Sequence, residues 1–270
     1  MKRLLISCKG ITLIEILIAL LITGILSAAM FRIYVNQHKS WMIQDANIDM
    51  QQNARAAMDE LTRQLRQTGY QLPNGLPALE AYDTNPDTIV IHYNSSDCQV
   101  PTEYDMSDKT SDLRCDGHDV SCLLTGQLAY IWDPATTLGE FFEISDVQTG
   151  TARILHTDWP LTRVYPEGSV ILSLDRIKFY IDGSDTLHPN LMIQVGAYPP
   201  QIYAENVTDL EISYRMKNGA VLTSPPVAAD VREIAITLTA RTDRPEWKFG
   251  IDPYRFQTLS SNVYLRNLGS

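Results

Sequence analysis

The chain has 270 residues, 44% of them hydrophobic, enough for one membrane segment and one sizeable folded domain. Its formal net charge is -10, and loss of residues 1–10, which carry Lys2, Arg3 and Lys9 and no acid, would take it to -13. Phosphate binding needs clustered Lys and Arg, so no nucleic-acid partner is expected.

In chain order, the first element is an apolar run from Ile11 to Phe31, preceded by Lys2, Arg3, Lys9 and Gly10 and interrupted by one carboxylate, Glu15. At about 20 residues it is long enough to cross a bilayer as a helix. The basic flank places the N-terminus in the cytoplasm and the remainder of the chain beyond the inner membrane, where disulfides can form. An acid at the bilayer centre costs roughly 2.5–3.5 kcal/mol on insertion scales. Glu15 therefore asks for a partner, and a new α-amine is one: cleavage after Gly10 would make Ile11 the N-terminus and Glu15 the fifth residue. A competing reading is an ordinary signal peptide cut at Ser27-Ala28-Ala29, releasing a secreted protein. Against it, signal peptides have apolar cores of about 7–15 residues and no use for an embedded acid.

Residues 32–68 contain neither Pro nor Gly, so the spacing predicts that the helix continues as an amphipathic segment over 32–69. Ala54, Ala57, Met58, Leu61 and Leu65 recur every three or four residues as one apolar stripe, and Gly69 followed by Pro73 marks the stop. Such a helix of about 58 residues would be roughly 87 Å long. Residues 70–270 then read as a β-rich head. Strands are expected at 88–93, 128–132, 140–147, 151–156, 169–173, 175–181, 191–196, 207–215, 231–241 and 257–265. Ile234, Ile236 and Leu238 should share one face, as should Leu210, Ile212 and Tyr214. Strands in series without helices between them predict an α+β fold with a mainly antiparallel sheet.

Residues 94–122 read as a long irregular loop with seven acids (Asp97, Glu103, Asp105, Asp108, Asp112, Asp116, Asp119). It also holds Cys98, Cys115 and Cys122, from which one disulfide and one spare thiol are expected, with the connectivity open. Three thiols with His118 could instead hold zinc, and Asp116-Gly117-His118-Asp119 touches on calcium chemistry. A disulfide is favoured outside the cytoplasm, and the acids lack the spaced calcium-loop pattern. No metal and no cofactor are therefore expected. His38, His92, His118, His156 and His188 are scattered, no nucleophile or nucleotide motif is present, and no catalytic residue is assigned.

The segment Gly10-Ile11-Thr12-Leu13-Ile14-Glu15 resembles the processing and assembly signal of type IV prepilins and secretion pseudopilins, with Ile11 where the family usually has Phe. The resemblance implies cleavage after Gly10 by a prepilin peptidase, methylation of the amine of Ile11, and assembly through Glu15. Glu205–Tyr214, Lys217-Asn218-Gly219, Val231–Ile236 and Val263–Asn267 resemble the C-terminal half of PilW-type minor pilins, relatives of the J-type pseudopilins of type II secretion systems. Implied partners are other minor and major pilins, the inner-membrane assembly platform and, before assembly, lipid. The implied role is initiating or capping a pilus at its tip. A J-type pseudopilin and a tip adhesin that binds through residues 94–122 remain open at this point.

Overall fold

The computed structural model describes residues 11–73, 76–156, 160–224, 230–246 and 253–268. They contain one helix, α1 (Leu13–Leu65), and sixteen strands. The first eight strands are β1 (Leu79–Tyr82), β2 (Thr88–Tyr93), β3 (Gln99–Pro101), β4 (Leu113–Arg114), β5 (Leu128–Asp133), β6 (Leu138–Glu143), β7 (Asp146–Gln148) and β8 (Arg153–Leu155). The rest are β9 (Val170–Ser173), β10 (Asp175–Asp182), β11 (Asn190–Val195), β12 (Gln201–Glu205), β13 (Val207–Met216), β14 (Val221–Leu222), β15 (Val231–Arg241) and β16 (Phe256–Tyr264). The fold is α+β, and every strand pair is antiparallel. The chain divides into two compact units, one ending at Ile48 and one beginning at Asp49.

In the second unit the stripe of α1 forms the centre of the main core. Ala54, Ala57, Leu61 and Leu65 are wholly buried and Met58 nearly so. They join Ile89 and Ile91 of β2, Phe179 of β10, and the alternating rows Leu210-Ile212-Tyr214 and Ile234-Ile236-Leu238. Two sheets supply these rows, ordered β1-β2-β10-β11-β12 and β14-β13-β15-β16. The helix ends four residues before Gly69. Gln67 and Thr68 donate to the carbonyls three residues back, which tightens the last turn. Gly69 then adopts φ +77°, and a Cβ there would stand 2.7 Å from Leu268 Cδ2. The left-handed conformation favours glycine here, and a Cβ would in addition make the Leu268 side chain shift.

A second core lies between two smaller sheets, β3-β9-β5-β6 and β4-β8-β7. Here the sequence reading needs two corrections. The expected strand 140–147 is two strands in different sheets: β6 pairs with β5, while β7 pairs with β8. The chain changes sheet at Ile144 and Ser145, whose amides donate to Gln127 O and Leu155 O. Residues 94–122 are also more than an irregular loop. They contain β3 and β4 and bury Val100, Met106, Leu113, Cys115 and Val120 in the second core. Glu103 N donates to Arg114 O, Met106 N to Tyr165 O and Cys115 N to Ala152 O, so backbone bonds pin the stretch along its length. The apolar positions that do this are single residues set between acids, with no period to reveal them.

Candidate functional site: the start of the stem helix

The start of α1 is built as a reciprocal cap. Leu13 is the first helical residue, so Thr12 is the N-cap and Glu15 the third residue of the helix. Glu15 N donates to Thr12 Oγ1 at 3.4 Å. In return Thr12 N donates to Glu15 Oε2 at 2.9 Å, and the Thr12 hydroxyl donates to the same oxygen at 3.0 Å. This capping box satisfies two amides that a helix start leaves without intrahelical partners. Thr12 has no assigned role in the sequence reading, although Thr-x-x-Glu ahead of an apolar run is its recognisable signal. Gly10 lies outside the described residues. Ile11 is 76% exposed.

Beyond the cap, the thirteen large apolar side chains from Ile11 to Phe31 are each 50–79% exposed. Covering one such side chain is worth about 1.5–3 kcal/mol. Left in water, this surface would cost on the order of tens of kcal/mol. It therefore needs lipid or other apolar helices around it. α1 is long and apolar enough to cross a membrane. Within that surface Glu15 is the only acid, and no basic side chain pairs with it among the described residues.

Residues 6–31 match the prokaryotic N-terminal methylation motif. That match, with the exposed apolar helix behind it, supports a type IV pilin- or pseudopilin-like prepilin, a structural rather than enzymatic protein, and anchoring in a membrane. No curated protein and no solved structure matches the chain.

The other sequence candidates lie in the second unit. Cys98 and Cys122 form the disulfide, closing 24 residues of chain. Closing a loop of this length is worth about 3 kcal/mol in the chain-entropy model. Cys115 is the spare thiol. It is wholly buried, and burial pushes its pKa up to about 12, with Asp116 and Glu103 adding to the rise. Such a thiol is inert packing rather than a nucleophile. The bridge also removes two of the three thiolates that a zinc site would need.

The acids of 94–122 are mostly engaged. Glu103 meets His118 at 2.6 Å, Asp116 meets Arg114 at 2.5 Å and Asp112 meets Arg153 at 3.4 Å. Asp108 and Asp119 are held below the usual carboxylate range by the hydroxyls and amides of Thr110 and Ser121. Asp116, His118 and Arg153 line an open polar groove of about 510 Å³ together with the 149–152 turn. No three or more His, Cys, Asp or Glu side chains converge as metal ligands among the described residues.

Two histidines are core residues. His156 Nε2 lies 3.0 Å from Ser111 O. His92 Nδ1 lies 2.8 Å from Pro77 O, and its ring tilts against Phe141 of β6 at 5.0 Å. His92 thereby ties β2 of the main core to the second pair of sheets.

Proposed function

We propose that the chain is a type IV pilus minor pilin of PilW type, cut after Gly10, methylated at Ile11 and co-assembled with other pilins near the filament tip. The observation that carries this reading is the first turn of α1. One carboxylate, held in place by Thr12, stands at the head of an apolar surface whose large side chains are exposed among the described residues. Within a bilayer or a bundle of helices the low dielectric penalises a lone charge and strengthens a paired one. The new α-amine of Ile11, in the same chain or on a staggered neighbour, supplies the pair. Helix packing then provides the bulk of the assembly energy and the ion pair provides its register.

The mature N-terminus tests the proposal. Mass spectrometry of the protein from its own membrane should find a chain beginning with methylated Ile11. Gly10→Trp should leave the leader attached, because a bulky residue before the cut blocks approach of the peptidase. A mature chain beginning at Met30 would end the pilin reading and restore the secreted one.

A further inference from the structure

Sheet edges offer rows of unpaired N–H and C=O groups to any passing strand, and proteins blunt them with short strands, charges, prolines or bulges. Among the described residues four sheets present eight edges, and seven of these are blunted. β4 and β14 have two residues each, β3 has three and ends at Pro101, β7 has three and β1 four. β12 has five and lies beside a register break in β11. β6 has six and carries Glu140 and Glu143. The eighth edge, β16, has none of these devices. It runs nine residues, Phe256-Gln257-Thr258-Leu259-Ser260-Ser261-Asn262-Val263-Tyr264, with no charge, proline or glycine. Its register with β15 is unbroken from Glu233↔Tyr264 to Arg241↔Phe256.

The bonds at its two ends show which backbone groups face outward. Leu265 N donates to Arg232 O, and Thr242 N donates to Arg255 O. Both bonds join residues in the same register as the strand. Hydrogen-bonded pairs alternate in an antiparallel ladder, so Gln257, Leu259, Ser261 and Val263 point their backbone groups at β15. Phe256, Thr258, Ser260, Asn262 and Tyr264 point theirs away from the sheet. Among the described residues, none of these five has a backbone hydrogen bond outside the β15–β16 ladder. Their side chains are exposed, Phe256 and Tyr264 by 47% and 60%.

We propose that β16 is a docking edge, completed by an extended strand of a different pilin-type subunit. This rests on the reading of the chain as a co-assembling pilin. The charge pattern selects the occupant. The middle of the edge is uncharged. At the Tyr264 end Arg232 and Arg266 are exposed and form no ion pair among the described residues, whereas at the Phe256 end Arg244 is paired with Asp243 and Arg255 with Glu246. A second copy of this chain would set Arg232 and Arg266 against themselves if its β16 ran parallel, and against the internally paired Arg244–Asp243 and Arg255–Glu246 if antiparallel, so in neither orientation would they meet an acid that is not already paired. A strand that is uncharged opposite Thr258–Asn262 and acidic where it meets Arg232 and Arg266 fits instead. Backbone bonds supply its affinity, and the end charges supply the choice of partner and the register.

The test uses the full chain in its own cells, with a photo-crosslinking amino acid (p-benzoylphenylalanine) replacing Tyr264. Illumination should join it to another chain that bears a prepilin-type N-terminus, identified by mass spectrometry. Ser260→Pro removes an outward N–H, which an edge strand tolerates, and one exposed hydroxyl contact to Thr237 Oγ1, so the melting temperature should change little. The crosslink should fall about tenfold, the loss expected for one bond of the added ladder. Ser260→Lys, which charges the edge without touching the backbone, should do the same. Ser261→Pro, by contrast, removes a bond to β15 and should lower the melting temperature. An Ile11-started, membrane-borne chain that yields no crosslink, or one insensitive to both Ser260 variants, overturns the docking edge and leaves the pilin reading intact. A crosslink to a second copy of this chain overturns the proposed partner.

Discussion

Glu15 stands in two relationships at once. Its carboxylate already accepts the amide and hydroxyl of Thr12, which caps the helix, and the proposed assembly asks it to meet an amine as well. A carboxylate has lone pairs for both, but the two roles need different chemistry. Capping needs only an acceptor, whereas pairing needs the charge. Glu15→Gln keeps the acceptor and discards the charge, and Glu15→Val discards both. Both variants should be processed and inserted, and both should fail to enter filaments, as measured by immunoblot of sheared pili. Assembly of the Gln variant at wild-type levels would reassign Glu15 to helix capping alone. A second residue-scale expectation concerns His92. Its Nδ1–H is bonded to Pro77 O, its Nε2 lies 3.6 Å from Glu80, and burial holds its pKa below the ordinary 6.5. The unfolded chain takes up a proton near pH 6.5 while the folded chain resists it. The stability owed to this group is therefore present above about pH 6.5 and lost as pH falls toward the folded value. Melting temperature should decline between pH 7 and 5, and His92→Gln should flatten that part of the profile. An unchanged profile in the variant would show that other groups set the acid response.

At the scale of elements, legibility followed the length of the repeat. The stripe Ala54–Leu65 spans three turns, and every member predicted from spacing is buried. The long alternating strands β13 and β15 were equally legible, because their inward rows have period two over ten residues or more. What escaped was short or mixed. β1 and β12 carry a glutamate each and run only four and five residues, β14 has only two, and β3 and β4 are held by partners far away in sequence. The acids of 94–122 stood out by composition; Asp108 and Asp119 cap turns and Asp116 meets Arg114 within two residues, but the ion pairs of Glu103 and Asp112 depend on residues 118 and 153 arriving beside them. Which cysteine joins Cys98 is likewise settled by tertiary structure: Cys122 forms the bridge, while Cys115 is buried in the second core with its amide on Ala152 O. The stripe makes a direct prediction. Leu61 is wholly buried between the helix and the main core, and truncating such a leucine typically costs 2–5 kcal/mol through lost transfer energy and the cavity left behind. Leu61→Ala should lower the free energy of unfolding measured in urea by that amount, whereas Arg55→Ala, on the exposed side of the same helix, should change it by less than about 0.5 kcal/mol. Equal effects from the two would mean that the helix is not docked through this stripe.

The molecule joins an apolar helix start that matches the N-terminal methylation motif to a second unit of more than two hundred residues, whose described residues form two large cores, a small third cluster and four sheets. A filament subunit repeated at close spacing meets its own copies on every side, so any feature that repels itself is multiplied along the fibre. This chain has such features. Its net charge would be -13 once residues 1–10 are lost, and its long edge strand β16 ends beside Arg232 and Arg266, which would face themselves in a parallel self-pairing. Each exposed like-charge contact is small and screened by salt, but in a homopolymer the contacts recur with every subunit. At a tip they occur once. The proposed role as an initiator follows from this asymmetry, and it fixes two observable quantities. Purified filaments should contain this chain at far below one copy per major subunit. Deleting it should sharply reduce filament number while the major pilin persists in the membrane. Quantitative mass spectrometry that finds near-equal copies would show that the self-repulsion is tolerated along the fibre. Abundant normal filaments in the deletion strain would show that initiation proceeds without it. Either result would remove the tip assignment and leave a prepilin-like chain whose place in the assembly must be sought elsewhere.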